Sequence, residues 1–218
     1  MQEDPRHRNE RFDLTSMGAY LADYADALRA ALLTIDADAL DAARALVVEA
    51  ADKGNHIYAI GNGGSAAIAD HLCCDLTKGT HVKGMPIIDT RSMTSNVALY
   101  SAIANDYGFE KVFSTQITFL GKPGDVLLAI SSSGKSPNIV RAVATARELG
   151  MSTIGLSGFD GGALHTAVHV GLHVAANNYG IIEDAHQAVM HVLAQFIAAK
   201  RDAATTEATT VLAKELAA

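Results

Sequence analysis

Four serines, a glycine and a lysine occupy six consecutive positions, Ser131, Ser132, Ser133, Gly134, Lys135 and Ser136. Hydroxyls and free backbone N–H groups suit an anion such as a phosphate, most of all where a helix begins and its dipole favours negative charge. The plain alternative is a serine-rich turn with a helix cap. An earlier stretch, Gly61-Asn62-Gly63-Gly64-Ser65-Ala66, satisfies the loose glycine pattern of dinucleotide sites. Such a site also needs an acidic residue about 20 positions on, closing the next strand, to hold a ribose. Asp75 comes too early and Asp89 too late, so no nucleotide cofactor is expected. Gly134-Lys135-Ser136 resembles the end of a nucleoside triphosphate loop, but Ala129 stands where that loop needs glycine.

A second set of polar residues sits in apolar surroundings. His71 and Asp75 are four apart on a predicted helix and share one face. Further on, Glu183, Asp184, His186, Gln187 and His191 interrupt a strongly apolar helical segment. At 100° per residue Asp184 and His191 lie nearly in line, and Gln187 falls between Glu183 and His191. A solvated helix face with ordinary pairs four apart would explain them blandly. Ile181, Ile182, Ala185, Ala188, Val189, Met190, Val192, Leu193 and Phe196 leave little room for such a face. Carboxylates and histidines in that setting point to acid–base work or to a metal. His165, His169 and His173 also recur every four residues, but through a loop and a strand, where scattered core or surface histidines are the simpler reading.

Positioning these groups requires strands that end in turns and helices that begin there. Residues 126–130 form an apolar run that predicts a buried strand, and residues 137–149 have helical spacing up to Gly150. The spacing also predicts strands at 56–60, 83–89 and 151–156, and a β-rich stretch at 168–175. Helices are expected over 14–33, 39–53 (capped by Asp36 or Asp38), 66–77, 94–104, 109–120 and 181–200. A glycine-bearing loop is expected around Gly158, Gly161 and Gly162, and a helical or loose tail from Asp202. Strands alternating with helices imply an α/β fold with a parallel sheet covered on both faces, and ligands at the carboxyl ends of its strands.

The bulk properties narrow the partners. With 49% hydrophobic and 19% charged residues the chain is expected to be globular, and 218 residues suffice for one α/β domain with helical additions. A net charge of −7 without a Lys/Arg stripe argues against a nucleic-acid partner. No apolar run reaches membrane-spanning length and the first residues lack a signal-peptide core, so a cytoplasmic protein is expected. Cys73 and Cys74 are neighbours and cannot sensibly pair with each other.

Taken together, Gly61-Asn62-Gly63-Gly64-Ser65 followed by His71, Asn105-Asp106-Tyr107-Gly108-Phe109, residues 125–136, and a late helix with His191 resemble SIS (sugar isomerase) domain proteins. The chain is most similar to bacterial phosphoheptose isomerases, over residues 15–200. The resemblance implies a flavodoxin-like doubly wound sheet with extra N-terminal helices. Residues 1–12 are charged and expected to be flexible, a single SIS domain with an N-terminal helical hairpin is expected over 13–200, and a tail over 201–218. The resemblance also implies a homotetramer with active sites between subunits, and conversion of sedoheptulose 7-phosphate to D-glycero-D-manno-heptose 7-phosphate through an enediol.

Carried over residue by residue, Ser65, Ser131, Ser132, Ser133 and Ser136 would bind the sugar phosphate and Asn62 the sugar chain. His191 matches the catalytic histidine. Asp75 stands where the isomerases have a catalytic Glu, and Glu183 where they usually have Gln. Asp75 or Glu183 would move the carbon-bound proton and His191 the oxygen-bound one. His71, Asp75, Glu183 and His191 match positions that hold zinc in some members. The shorter Asp75 leaves open a retuned isomerase, another phosphosugar substrate, or a non-catalytic SIS module that binds a phosphosugar or a protein. An amino-sugar isomerase or an N-acetylmuramic acid 6-phosphate lyase is a weaker alternative, since those families are commonly longer.

Overall fold

The computed structural model describes residues 12–216, so the expected flexible N-terminus lies, apart from Phe12, outside the described residues. Five strands form one parallel sheet: β1 (Ile57–Gly61), β2 (Thr90–Ser92), β3 (Val126–Ser131), β4 (Ser152–Ser157) and β5 (Val170–His173). Every residue of β1 and β3 is buried, which is why both read as continuous apolar runs rather than as alternating patterns. Eight helices cover the sheet: α1 (Met17–Leu32), α2 (Ala37–Asp52), α3 (Gly64–Cys74), α4 (Val97–Tyr107), α5 (Val112–Leu120), α6 (Pro137–Glu148), α7 (Gly162–Ala167) and α8 (Tyr179–Leu216).

Strand alternation splits the core in two. Ile57, Ala59, Val126, Leu128, Ile130, Ile154 and Leu156 meet Val47 of α2, Leu72 of α3, and Val189 and Leu193 of α8. Tyr58, Ile60, Leu127 and Ala129 meet Phe113 and Ile117 of α5, Ile139 and Val143 of α6, and Leu164 of α7. Each fully buried Ile, Leu or Phe contributes about 1.5–3 kcal/mol relative to exposure. A third cluster of Ala31, Val174, Ile181 and Ile182 fastens α1 to the start of α8.

The strand order is β2-β1-β3-β4-β5, the flavodoxin-like doubly wound order. The order reverses between β1 and β3, where Gly61 pairs beside Ile130. The turns that follow these strands therefore open side by side into the crevice where such sheets bind ligands.

The strand expected at 83–89 is absent. Pro86 has no N–H to give a ladder and Gly84 turns the chain at φ +91, so pairing begins only at Thr90, opposite Ile57. The expected glycine loop contains a short helix, α7. The helix expected at 94–104 starts at Val97, because the Asn96 side chain accepts from Leu99 N–H at 3.1 Å and fixes its start. The segment 109–120 divides into a tight turn, Phe109–Lys111, and α5. Asp36 caps α2, accepting from Asp38 N–H at 2.8 Å. Past residue 200 helix α8 continues to Leu216.

Candidate active site

The anion anchor is built by the turn between β3 and α6. Gly134, at φ +63, lies so close to the Gly161 carbonyl that a Cβ there would overlap it, and only glycine fits. Ser131 Oγ donates to Ser136 Oγ at 3.4 Å, and Ser133 Oγ accepts from Lys135 N–H at 3.2 Å. The first turn leans on this one: Asn62 and Asn138 exchange amide hydrogen bonds of 3.0 and 2.9 Å, tying the end of β1 to the first turn of α6. Between the turns lies a cavity of about 160 Å³ lined by Asn62, Ser65, Ile130, Ser131, Ser132, Ser133, Ser136, Tyr179 and Glu183.

Within that cavity Ser132 is 5% exposed and its Oγ is buried without any hydrogen-bond partner. A hydroxyl left unsatisfied in the interior costs about 1–3 kcal/mol. A phosphate oxygen would satisfy it. The only cation of the turn points away, with Lys135 Nζ 2.7 Å from Asp160 Oδ2. The cavity lining therefore offers hydroxyls and amides together with the Glu183 carboxylate, and no cationic side chain.

Three of the polar residues of α3 and α8 come together in a second group. His71 Nε2 lies 3.6 Å from Asp75 Oδ1, and His191 Nε2 lies 3.6 Å from Asp75 Oδ2. The two imidazole rings meet edge to face with centroids 5.1 Å apart. One donor atom from each of His71, Asp75 and His191 falls within 4.8 Å of the others, a spacing that could hold a metal ion. Asp75 begins a single π-helical turn, Asp75–Gly79, that continues α3. Such widened turns recur at functional sites because they re-aim a side chain without ending the helix.

Glu183 stands apart from that trio. Its carboxylate packs against Gly64, where a Cβ would come within 2.7 Å of Glu183 Oε2, and it forms part of the serine cavity. Burial, helped by the neighbouring Asp184 carboxylate, raises the Glu183 carboxyl above its ordinary pKa. Asp184 turns the other way and accepts from the Tyr24 hydroxyl at 2.6 Å.

Two ties set the height of α8. His186 is fully buried, with its Nε2 3.2 Å from the Ser157 carbonyl and no partner for Nδ1. Burial lowers its pKa to about 4, so the ring is neutral and donates from Nε2. Nearly three turns past His191, Arg201 donates to the Thr80 carbonyl at 3.1 Å, just beyond the π-turn that starts at Asp75. Two further histidines serve the sheet: His169 Nδ1 accepts from Thr153 N–H at 3.0 Å, and His173 Nδ1 lies 3.3 Å from Ser157 Oγ.

The sequence-derived candidates thus form two groups: Asn62 and the five serines with Glu183, and His71 and Asp75 with His191. Asn138 and Tyr179 were not anticipated. An Asn in the first turn of the helix after a phosphate-type loop was the available signal for the first; nothing local marks Tyr179. Gln187 was noted only for its angle on α8, yet its Nε2 lies 3.1 Å from His71 Nδ1 and 3.4 Å from His191 Nε2.

The chain is similar to known proteins in sequence and fold. A family model described as the SIS domain matches residues 19–158. Phosphoheptose isomerase from Campylobacter jejuni is 41% identical over 152 residues, covering 70% of this chain and 81% of that protein. The phosphoheptose isomerase of Trichlorobacter lovleyi is 37% identical over 153 residues, 69% of this chain and 76% of that one. Among solved structures, the phosphoheptose isomerase of Neisseria gonorrhoeae superposes with a TM-score of 0.75 at 34% identity, covering 83% of this chain and 95% of its own. That of Francisella tularensis gives 0.76 at 30% identity with the same coverage. With its doubly wound sheet, its serine turn at the switch point and these relatives, the chain belongs to the phosphoheptose isomerase family of SIS-domain proteins.

Proposed function

We propose that the protein is an aldose–ketose isomerase that interconverts sedoheptulose 7-phosphate and D-glycero-D-manno-heptose 7-phosphate. One observation carries the reading beyond family membership: Glu183, a carboxyl pushed above its ordinary range, opens onto the same cavity as the unsatisfied Ser132 hydroxyl. An anion anchor and a base suited to moving protons therefore share one pocket.

In the reaction the five serines hold the phosphate and Asn62 contacts the sugar chain. Glu183 takes the proton from C1 of the ketose, and the electron pair moves into the C1–C2 bond as O2 gains a proton from His191. The enediol then takes a proton at C2 from Glu183 while O1 gives one to His191, leaving the aldehyde. Asp75 holds both histidines in place.

His71, Asp75 and His191 also fit a divalent ion such as Zn²⁺: two imidazoles and a carboxylate with donor atoms within 4.8 Å are a borderline donor set. When bound, such an ion would polarise the substrate carbonyl.

The reading includes a homotetramer with sites shared between subunits. A cavity of about 160 Å³ is smaller than the roughly 300–1,000 Å³ of whole small-molecule sites, so further wall is needed. Exposed Met17 and Leu21 on α1 and Val192 and Phe196 on α8 offer apolar surface for packing between copies. It also includes a single SIS domain over 13–200 with a C-terminal tail, and a cytoplasmic setting in keeping with the free thiols of Cys73 and Cys74. No helix of the described residues is long and apolar enough to cross a membrane.

The test is incubation of the purified protein with sedoheptulose 7-phosphate, with and without zinc, following aldose formation. Turnover is expected. Binding of the phosphosugar without turnover under both conditions would overturn the isomerase reading in favour of a binding module.

A further inference from the structure

We infer that a second cavity, between α2, α8 and the segment before β2, binds a small organic oxyanion, a carboxylate or a phosphate ester, on the guanidinium of Arg201. The inference does not rest on the isomerase reading.

The cavity holds about 300 Å³ and is lined by three cations, Arg44, Lys200 and Arg201, by one carboxylate, Asp52, and by apolar walls that include Met85 and Ile197. Arg201 carries the argument. It is 7% exposed, and its side chain makes one hydrogen bond among the described residues, from Nη1 to the Thr80 carbonyl at 3.1 Å. A guanidinium has five N–H donors in a fixed fork and keeps its charge in a protein. Asp52 shares the cavity wall, yet no ion pair to Arg201 is present among the described residues. A charge withdrawn from water without a bonded counter-charge is costly. Burial accordingly pulls the Arg201 pKa below the usual arginine value, opposed by the Asp52 charge.

The other cations strengthen the same conclusion. The whole chain carries a net charge of −7, but here three cations face one carboxylate. Arg44 is partly neutralised, with its Nε 3.3 Å from Asp41 Oδ1. Lys200 is exposed, and its Nζ stands 5.6 Å from the centre of the Phe196 ring, with no carboxylate partner among the described residues. A carboxylate or a phosphate offers two oxygens side by side, the pattern that a guanidinium fork recognises. The apolar walls suit a carbon body. About 300 Å³ is the lower end of the roughly 300–1,000 Å³ of small-molecule sites, so the ligand is small.

This anion is not the substrate phosphate. Helix α8 passes from Glu183, on the wall of the serine cavity, to Arg201, 18 residues and about 27 Å of helix rise further on. Asp52 lies just ahead of β1 and Met85 just ahead of β2, so the cavity sits where the strands begin, at the end of the sheet away from the serine turn.

Calorimetric titration of the full-length protein with phenylacetate and with phenyl phosphate tests this without measuring turnover, so its failure would leave the isomerase reading untouched. One of the two probes is expected to bind, and the tighter one identifies the anion class. Arg201→Met, which removes the fork, and Lys200→Glu, which reverses a charge at the rim, should each weaken that binding roughly tenfold or more. Arg201→Lys, which keeps the charge without the fork, should lose less than Arg201→Met. Ser132→Ala should change the affinity by less than about threefold, because the serine cavity is not the site. Lys200 is exposed, so Lys200→Glu decides the matter if Arg201→Met does not fold. No binding of either probe by the wild type, unchanged affinity in Lys200→Glu, or a loss in Ser132→Ala as large as in Lys200→Glu would each overturn the inference.

Discussion

The serine turn after β3 and the polar cluster between α3 and α8 are made in opposite ways. The turn is six consecutive residues, packed against Gly161, with Ser131 and Ser132 each 5% exposed. Its shape comes from the backbone, so it is formed before any ligand arrives. The cluster is made of side chains from residues 116 positions apart, as between His71 and Gln187, with contacts of 3.1–3.6 Å and partial exposure. Backbone donors can hold a fixed charge cheaply, whereas moving protons needs groups that change charge and can shift. The contrast separates affinity from turnover along the length of one substrate.

Perturbing one region while watching the other would break or sharpen that separation. The largest effect is expected for His191→Gln, which removes the oxygen-proton carrier: kcat should fall roughly 100- to 10,000-fold. Steady-state kinetics would show it, and KM should move little. Gly64→Ala comes next. The new Cβ would come within 2.7 Å of Glu183 Oε2 and displace that carboxylate, and a shift of about 1 Å can cost roughly 100-fold in rate. Phosphate binding by calorimetry should survive in that variant.

Ser132→Ala acts on the anchor. A hydrogen bond to a charged group is worth about 1.5–3 kcal/mol, so KM should rise roughly 10- to 100-fold with kcat nearly kept. Because the Ser132 hydroxyl has no partner in the protein alone, the Tm of the ligand-free variant should hold or rise. A lower Tm would mean that the hydroxyl is structural.

The smallest effect is a stability change in Glu183→Gln without substrate. The folded protein raises this carboxyl above its ordinary 4.5, so ionisation is penalised only in the folded state. That penalty is absent below the unfolded value and grows as pH rises through the raised one. The variant should therefore melt higher than the wild type at neutral pH, and the gap should close as the solution is acidified below about 4.5. A gap independent of pH would remove burial as its cause.

The same contrast explains what could be read from the chain. The parallel sheet and the serine turn are local patterns: an apolar run, a hydroxyl-rich turn, a helix with Pro137 in its first turn. The strand misplaced at 83–89 was also a local pattern, but Gly84 and Pro86 within it outweighed Ile87 and Ile88, and pairing moved to Thr90. His71, Asp75, Glu183 and His191 could be named from their types and from resemblance. Which of them touch could not, because that depends on how high α8 sits against β4 and the end of α3. The buried His186 and Arg201 set that height, and no periodicity reveals their partners. Gln187 is the clearest instance: its angle on the helix was legible, its contact with both histidines was not.

The most direct test of the separation is to measure the Kd and the turnover of sedoheptulose 7-phosphate side by side in the wild type and in His191→Gln. The account predicts conversion to the aldose by the wild type, and binding within about threefold but almost no conversion by the variant. Binding without conversion by the wild type, or loss of binding together with conversion in the variant, would contradict it.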